Sequence, residues 1–363
     1  MPRIFIFTCG TSLISNFGKS KADPKDRASL QNGLETLVKR IDFTEEGWMG
    51  DSSWRDLTRG EVPGDPQFSD LLTVLQEDLA QAAVRYWSAL PSNAEEQTAE
   101  MSTLAVLKQQ PGDEIILLAS DTPDGVFCAL VNAHIMAEQG QEILLERFDW
   151  EKDGERSCAV VNWRGAPVPS GDDHSPPPIR VIVVGRLTPS NKLDFEKYGI
   201  GNLIRTLTYL VYEVYGRQEA IRPVFVFTGG FKASIPILTQ AASWLGGSTG
   251  QHIEMTALYE ASPDRIVVPV IGHQPEDKYL LIAFSFGIKK RPIDLRAYPE
   301  FKPFDYSDKR TAADVRECPF LFQDLPGGGI ELNPLGQALK AIVEHALVDQ
   351  REMMERKLRE AAA

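Results

Sequence analysis

The sequence predicts an α/β protein: a doubly wound, mostly parallel sheet followed by a small α+β domain. Three observations carry this expectation. Short apolar strands alternate with helical stretches from the first residues to about Ile271, the pattern of a parallel sheet with crossover helices. Three of those strands run into polar or glycine-rich turns: Phe7-Thr8-Cys9-Gly10-Thr11-Ser12, Ser120-Asp121-Thr122-Pro123-Asp124-Gly125, and Thr228-Gly229-Gly230-Phe231-Lys232. After Pro275 the alternation stops, which sets residues 1–275 apart from residues 276–363.

Arg3–Cys9 reads as the first strand, with Ile4 to Phe7 as its apolar run. Residues 18–68 are rich in Gly, Asp, Pro and Ser, hold a candidate helix at Leu30–Ile41, and read as an insertion. Asp70–Leu90 has three- and four-residue apolar spacing through Leu71, Leu72, Leu75 and Leu79, and a further helix is expected over Ala94–Lys108. Pro111-Gly112-Asp113 punctuates before strand Glu114–Ala119; after the Ser120–Gly125 turn come helix Val126–Glu138 and strand Glu142–Phe148. Gly165–Pro178 is a surface loop by composition, Ile179–Gly185 a strand and Ile200–Tyr215 an apolar helix. Strand Pro223–Phe227 leads into the Thr228 turn, and the next helix starts near Ser234, with Pro236 in its first turn where a missing N–H is harmless. Strands Glu254–Glu260 and Arg265–Ile271 complete the larger domain. Beyond it, Tyr279–Phe286 reads as a strand, Tyr298–Asp308 is rich in Pro and aromatics, and Pro326-Gly327-Gly328-Gly329 is a tight turn. Asn333-Pro334 opens helix Leu335–Val348, which leads into the charged tail Asp349–Glu360.

Composition narrows the function classes. A chain of 363 residues, 43% hydrophobic and 25% charged, is long enough for one large globular domain and a smaller one. It has no run near the roughly 18 apolar residues of a membrane helix, and Met1-Pro2-Arg3 leads straight into a strand without a secretory leader; no membrane association and a cytoplasmic location are expected. Cys9, Cys128, Cys158 and Cys318 are scattered, without zinc spacing, and read as reduced thiols. A net charge of −13, from 38 basic and 51 acidic residues, argues against general DNA or RNA binding. An anionic ligand would have to be met by a few local donors against an unfavourable overall field.

The three turns supply such donors. Ligands of open parallel sheets bind beyond the carboxyl ends of the strands. Glycine permits close approach of the backbone there, and hydroxyls and helix N-termini offer hydrogen bonds to anions. Each turn also has a plain structural reading. Gly229-Gly230 can serve packing alone, Thr11-Ser12 can cap a helix, and Asp121 can hold a turn. Lys232 follows neither the P-loop nor the dinucleotide-binding glycine pattern. Their shared place at strand ends makes them together a candidate phosphate site.

Phe7-Thr8-Cys9-Gly10-Thr11-Ser12-Leu13, Ser120-Asp121-Thr122 and Phe227-Thr228-Gly229-Gly230-Phe231-Lys232-Ala233, with Pro236 beyond, resemble the CRISPR-associated Rossmann-fold (CARF) domain, especially its stand-alone ring nucleases. The resemblance covers residues 1–275. It implies a Rossmann-like sheet, a homodimer, and a cyclic oligoadenylate, usually cyclic tetra-adenylate, bound across the two-fold axis. It also implies ring opening that switches off type III CRISPR signalling. On that resemblance Ser12 and Lys232 are the catalytic residues, with Gly10, Thr11, Ser120, Asp121, Thr122, Thr228, Gly229, Gly230 and Phe231 binding the ligand. The insertion at 18–68 and the acidic loop at 171–173 depart from the family pattern.

An RNA-like ring opens without metal or cofactor when a ribose 2′-hydroxyl attacks the adjacent phosphorus and expels the 5′-oxygen. The protein then supplies alignment and charge stabilisation. Lys232 offers a point charge, Ser12 and Thr11 hydroxyls, and Gly229 and Gly230 backbone N–H groups. No histidine lies in the three turns, and without a general base, worth about 10²–10⁴-fold, slow turnover is expected. A hydrated magnesium held by Asp121 or Asp124 is the competing arrangement. The alternative function is a cyclic-oligoadenylate sensor whose C-terminal domain is the effector or regulator. No arginine precedes a histidine by four to six residues, which excludes a HEPN-type ribonuclease. Asp294 with Glu300-Phe301-Lys302 fits a restriction-type nuclease in spacing, but Pro299 and Pro303 bracket the triplet and are unsuited to a central strand. For a winged-helix-like DNA reader, Arg351, Arg356, Lys357 and Arg359 alternate with Glu352, Glu355 and Glu360 at spacings that suit a solvated helix.

Overall fold

A computed structural model describes residues 2–13, 98–137, 141–149, 155–160, 176–187, 195, 199–216, 221–227, 235–250, 252–258, 265–268, 270–273, 275, 279, 280, 283, 321–324 and 330–342. The insertion at 18–68, the helix at Asp70–Leu90, the Pro326–Gly329 turn and the tail after Ile342 lie outside these residues. So do the Asp294 and Glu300–Lys302 set and the Tyr298–Asp308 stretch.

Eight strands form one sheet in the order β4-β3-β5-β2-β1-β6-β7-β8. They are β1 (Arg3–Thr8), β2 (Glu114–Ser120), β3 (Ile143–Asp149), β4 (Glu155–Val160), β5 (Ile179–Val184), β6 (Arg222–Val226), β7 (Glu254–Leu258) and β8 (Arg265–Val268). The six inner strands are mutually parallel, while β4 and β8 pair antiparallel at the two edges. The expected mostly parallel sheet of an α/β, Rossmann-like fold is therefore present. Alternate residues of the inner strands are apolar on both sides, as parallel sheets require. Phe5, Phe7, Leu117, Val181 and Val226 join one core cluster, and Ile4, Ile6, Ile116, Leu118 and Phe225 are buried on the other face.

Among the described residues two helices belong to this unit. α1 (Ala99–Leu107) packs toward β7 and β8, and α2 (Pro123–Met136) lies on β2 and β5 with Phe127, Leu130 and Val131 in the core cluster. Few of the positions that α1 buries are apolar: they are Glu100, Thr103 and Leu107. Polar ties hold its ends instead. At the C-terminal end, Lys108 is left-handed (φ 51°), and the Arg3 guanidinium donates to the carbonyls of Leu107 (3.2 Å) and Lys108 (2.8 Å), a favourable place for a cation. Asp113 fixes Arg3 through both its guanidinium and its backbone N–H, and accepts from Gln110 N (2.7 Å).

By spatial grouping the chain divides into two compact units. The first comprises Met1–Thr188, Ala220–Ala233 and Glu254–Pro269, and holds the sheet; the second comprises Pro189–Glu219, Ser234–Ile253 and Val270–Ala363. This division differs from the sequence boundary at residue 275, because α3 (Ile200–Gly216) and α4 (Ile235–Thr249) group with the C-terminal segment. There the hairpin of β9 (Phe322–Asp324) and β10 (Ile330–Leu332) precedes α5 (Pro334–Ala341), which packs on α3 and α4. Asn333 Oδ1 caps α5 by accepting from Leu335 N and Gly336 N, both at 3.0 Å. A side chain at position 336 would collide with the Leu321 carbonyl oxygen, so only glycine fits this contact.

Three local expectations change. Tyr279, Leu280 and Ala283 have helical backbone where a strand was expected; periodicity does not separate a short buried helix from a strand in an unbroken apolar run. Strand β4 was not foreseen, because Glu155-Arg156-Ser157-Cys158-Ala159-Val160 is an edge strand of mixed polarity. β8 ends at Val268, ahead of Pro269, which has no N–H to extend a ladder, and Ile271 is 82% exposed.

One buried ion pair joins adjacent strands: Arg180 Nε of β5 donates to Glu146 Oε1 of β3 at 2.7 Å, and Nη2 donates to Oε2 at 3.0 Å. Glu146→Ala leaves the buried guanidinium without its carboxylate and is expected to lower the unfolding free energy by about 3–5 kcal/mol, measured by urea denaturation. A loss under about 1 kcal/mol would show that the pair contributes nothing of the kind attributed to buried pairs.

Candidate functional site

Register gathers the three signature turns. β1 pairs in parallel with β2 up to Thr8↔Leu118 and with β6 up to Phe7↔Val226. Just past these pairs, Cys9 N–H still donates to the Leu118 carbonyl at 2.8 Å and Phe227 N–H to the Thr256 carbonyl at 3.0 Å. The carboxyl ends of β2, β1 and β6 therefore lie side by side. The chain first builds outward from β1 through β2, then crosses back to β6 and builds the other way, so β1 and β6 flank the point where strand order reverses. That point is where open sheets form a ligand crevice.

At the β1 end, Thr11 is exposed, Ser12 partly so, and Gly10 buried. Gly10 N–H donates to Glu100 Oε1 at 2.8 Å, so this N–H is taken up inside the protein. Ser12 Oγ donates to Glu100 Oε2 at 3.4 Å and accepts from Ala99 N at 3.4 Å, at the start of α1. Asn132 of α2 completes the cluster. Its Nδ2 donates to Glu100 Oε2 (3.4 Å) and to Cys9 Sγ (3.5 Å), and its Oδ1 accepts from Thr98 Oγ1 (3.0 Å). Thr98 is also the N-cap of α1, accepting from Met101 N at 3.1 Å. A carboxylate in the first turn is favoured by the positive end of the helix. Yet Glu100 is wholly buried, and burial pushes its carboxyl above the ordinary range, against the opposing pull of its hydrogen bonds. Burial, reinforced by Glu100, drives the Cys9 thiol well up, so Cys9 is a poor nucleophile. Cys9 and Cys128 are buried thiols that belong to no disulfide.

At the β2 end, Ser120 and Asp121 are buried. Ser120 Oγ and Thr122 Oγ1 share a hydrogen bond of 2.8 Å, and Thr122 caps α2 by accepting from Gly125 N at 3.1 Å. A Cβ at position 125 would strike Ser120 Oγ and lie 2.9 Å from the Ser120 carbonyl oxygen, which explains the glycine. Asp121 accepts from the backbone N–H of Arg186, a residue with φ 60° just beyond β5, and so ties the β2 and β5 ends together. Asp121 thus has the turn-holding job that its position allowed, and Asp124 sits exposed in the first turn of α2.

Thr228, Gly229, Gly230, Phe231 and Lys232 lie outside the described residues; only the strand that leads to them is placed. Sequence reasoning missed Glu100, Asn132 and Arg186. Glu100 and Asn132 sit inside helices without a motif, and only three-dimensional packing brings them under Ser12. The Gly185-Arg186 pair after a strand offered a weak signal for Arg186. Among the described residues, no three His, Cys, Asp or Glu side chains gather as a metal site, and no helix is long and apolar enough to cross a membrane. No protein-family model matches the chain, and no curated protein matches it significantly.

The raised proton affinity of Glu100 has a definite consequence for stability. Between its ordinary value, about 4.3, and its higher native value, the folded state binds more protons than the unfolded state, so Glu100 makes stability fall as pH rises. Glu100→Gln keeps an acceptor for Gly10 N–H and has no proton to lose. The unfolding free energy of Glu100→Gln relative to wild type is therefore expected to increase from pH 4 toward pH 7 in urea titrations. A relative decrease over that range would mean that the native site favours the ionised carboxylate.

Proposed function

We propose that this protein is a CARF-type ring nuclease: it binds a cyclic oligoadenylate, in the first instance cyclic tetra-adenylate, and linearises it. The observation that supports this reading is the alignment of the β1, β2 and β6 ends at the reversal point of a doubly wound sheet. The Ser12 hydroxyl lies at one of these ends, and the chain enters the Lys232 turn from another. The N-termini of α1 and α2 adjoin the β1 and β2 ends, so the positive ends of both helix dipoles lie at this edge.

In this reading a ribose 2′-hydroxyl attacks the neighbouring phosphorus, the bond to the 5′-oxygen breaks, and a 2′,3′-cyclic phosphate remains. Ser12 touches the reacting nucleotide, Lys232 offsets charge on the phosphoryl oxygens, and Thr11, Ser120, Thr122 and the Thr228–Phe231 backbone hold the ring. A symmetric ligand calls for two copies of the chain about a two-fold axis, and the signalling role implies a cytoplasmic protein.

Pure protein incubated in EDTA with cyclic tri-, tetra- and hexa-adenylate, with products identified by mass, tests the proposal. Cleavage of at least one ring is expected, and binding without cleavage would leave a sensor instead. Lys232→Ala is expected to slow opening by removing a charge partner of the transition state, and Ser12→Ala to reduce rate more than affinity. Wild-type rates in both variants would place the chemistry elsewhere. Activity lost on chelation and restored by magnesium or manganese would replace the metal-free route and move attention to Asp121. Light scattering is expected to show a dimer; a monomer with and without ligand would oppose the assignment.

A further inference from the structure

We propose that Glu100 is a positioning residue for Ser12 and the terminal acceptor of a proton relay that runs from the ribose 2′-hydroxyl through Ser12 to Glu100. The inference deepens the ring-nuclease reading and rests on it. It supplies the base that the three turns themselves lack.

The geometry that carries it is the seating of Glu100. Oε1 is anchored by Gly10 N–H at 2.8 Å, while Oε2 faces Ser12 Oγ and Asn132 Nδ2, each at 3.4 Å. The carboxylate is fully buried, whereas Ser12 is partly exposed, so the hydroxyl is the link between solvent-side ligand and buried carboxylate. Among the described residues the Glu100 carboxyl meets two backbone N–H groups, that of Gly10 and its own, an amide, a hydroxyl and a thiol, and no guanidinium or ammonium. A glutamine would satisfy the Gly10 N–H without burying a charge. An acid here is therefore expensive for structure alone and suited to holding a proton. Catalytic hydrogen bonds at 3.4 Å are long, as they commonly are before a substrate tightens the site.

In the relay, the 2′-oxygen bonds to phosphorus as its proton passes to Ser12 Oγ and the Ser12 proton passes to Glu100 Oε2. The P–O5′ bond breaks, and the departing 5′-oxygen takes a proton from solvent. Glu100 then returns its proton to solvent, so nothing is consumed. Among the described residues the other titratable group facing Glu100 is Cys9 from β1, with Cys128 of α2 acting in turn on Cys9; burial drives the Cys9 thiol to higher pH, away from the acid limb that Glu100 controls.

The test is single-turnover opening of a cyclic oligoadenylate over a pH series by wild type, Glu100→Gln and Glu100→Asp, with ligand affinity and thermal unfolding measured alongside. Wild type is expected to gain rate with pH up to a plateau. Glu100→Gln should lower the plateau by about 10²-fold or more and abolish the climb, with affinity and fold retained. Glu100→Asp, which withdraws the carboxylate by one methylene, should keep the climb at a lower plateau. Glu100→Gln with the wild-type rate or the wild-type climb overturns the relay, and so does a flat profile in Glu100→Asp. Absence of opening by wild type on every ring overturns the function and the relay together. That outcome is distinct from opening that is indifferent to Glu100.

Discussion

Strand β1 is hydrogen-bonded along both edges and buried on both faces, and polar clusters lie at its two ends. A strand in that position has no freedom to shift. Slipping by one residue would turn Phe5 and Phe7 out of the core cluster and break pairing with β2 and β6 at once. The residues just beyond it inherit this rigidity: Cys9 is still tied to the β2 backbone, and Gly10 to a buried carboxylate. Ser12 is thus presented from the most constrained part of the sheet, which suits a group that must align another atom closely.

The fold was legible wherever apolar runs were bounded by turn residues. Ile4–Phe7, Ile115–Ala119, Val181–Val184 and Pro223–Val226 are continuous hydrophobic runs, which is what burial on both faces requires. Their polar ends pointed to one sheet edge, and for Ser12 and Ser120–Thr122 the register places them there. What was not legible depended on contacts between distant positions. Nothing local distinguishes Glu100 from a solvated helix glutamate or Asn132 from a surface amide; they become a cluster only because α1 and α2 share one core with β1. The β4 edge strand and the helical backbone at Tyr279, Leu280 and Ala283 escaped for the opposite reason, since their local sequence fits more than one conformation and tertiary packing decides.

The acidic character of the chain sharpens what the site must do. With a net charge of −13, long-range attraction does not bring an anion to this protein, so binding has to come from short-range donors at the strand ends. The Thr11 and Ser12 hydroxyls fit that need, whereas the first N–H groups of α1 are taken by Ser12 and Thr98. Some donors are committed internally, however: Gly10 N–H to Glu100, Gly125 N–H to Thr122, and Arg186 N–H to Asp121. These bonds shape the edge rather than face a ligand, and under the proposed function they shift the weight of anion recognition toward hydroxyls and side-chain cations.

Helix α1 brings the two ends of β1 into direct comparison. It buries Glu100 and Thr103 beside Leu107, packs Met101 and Leu104 on the core cluster, and has a polar tie at each end. At the amino end of β1 the tie is neutralised: Arg3 meets Asp113 at 2.6 Å and satisfies the last carbonyls of the helix. At the carboxyl end the tie is a buried carboxylate whose partners are neutral, beneath a partly exposed hydroxyl. Two ties serving only architecture would be expected to use the same economical solution, an ion pair or a neutral amide. The asymmetry falls on the edge where the strand order reverses, and this coincidence distinguishes Glu100 from the many carboxylates that hold a helix in place.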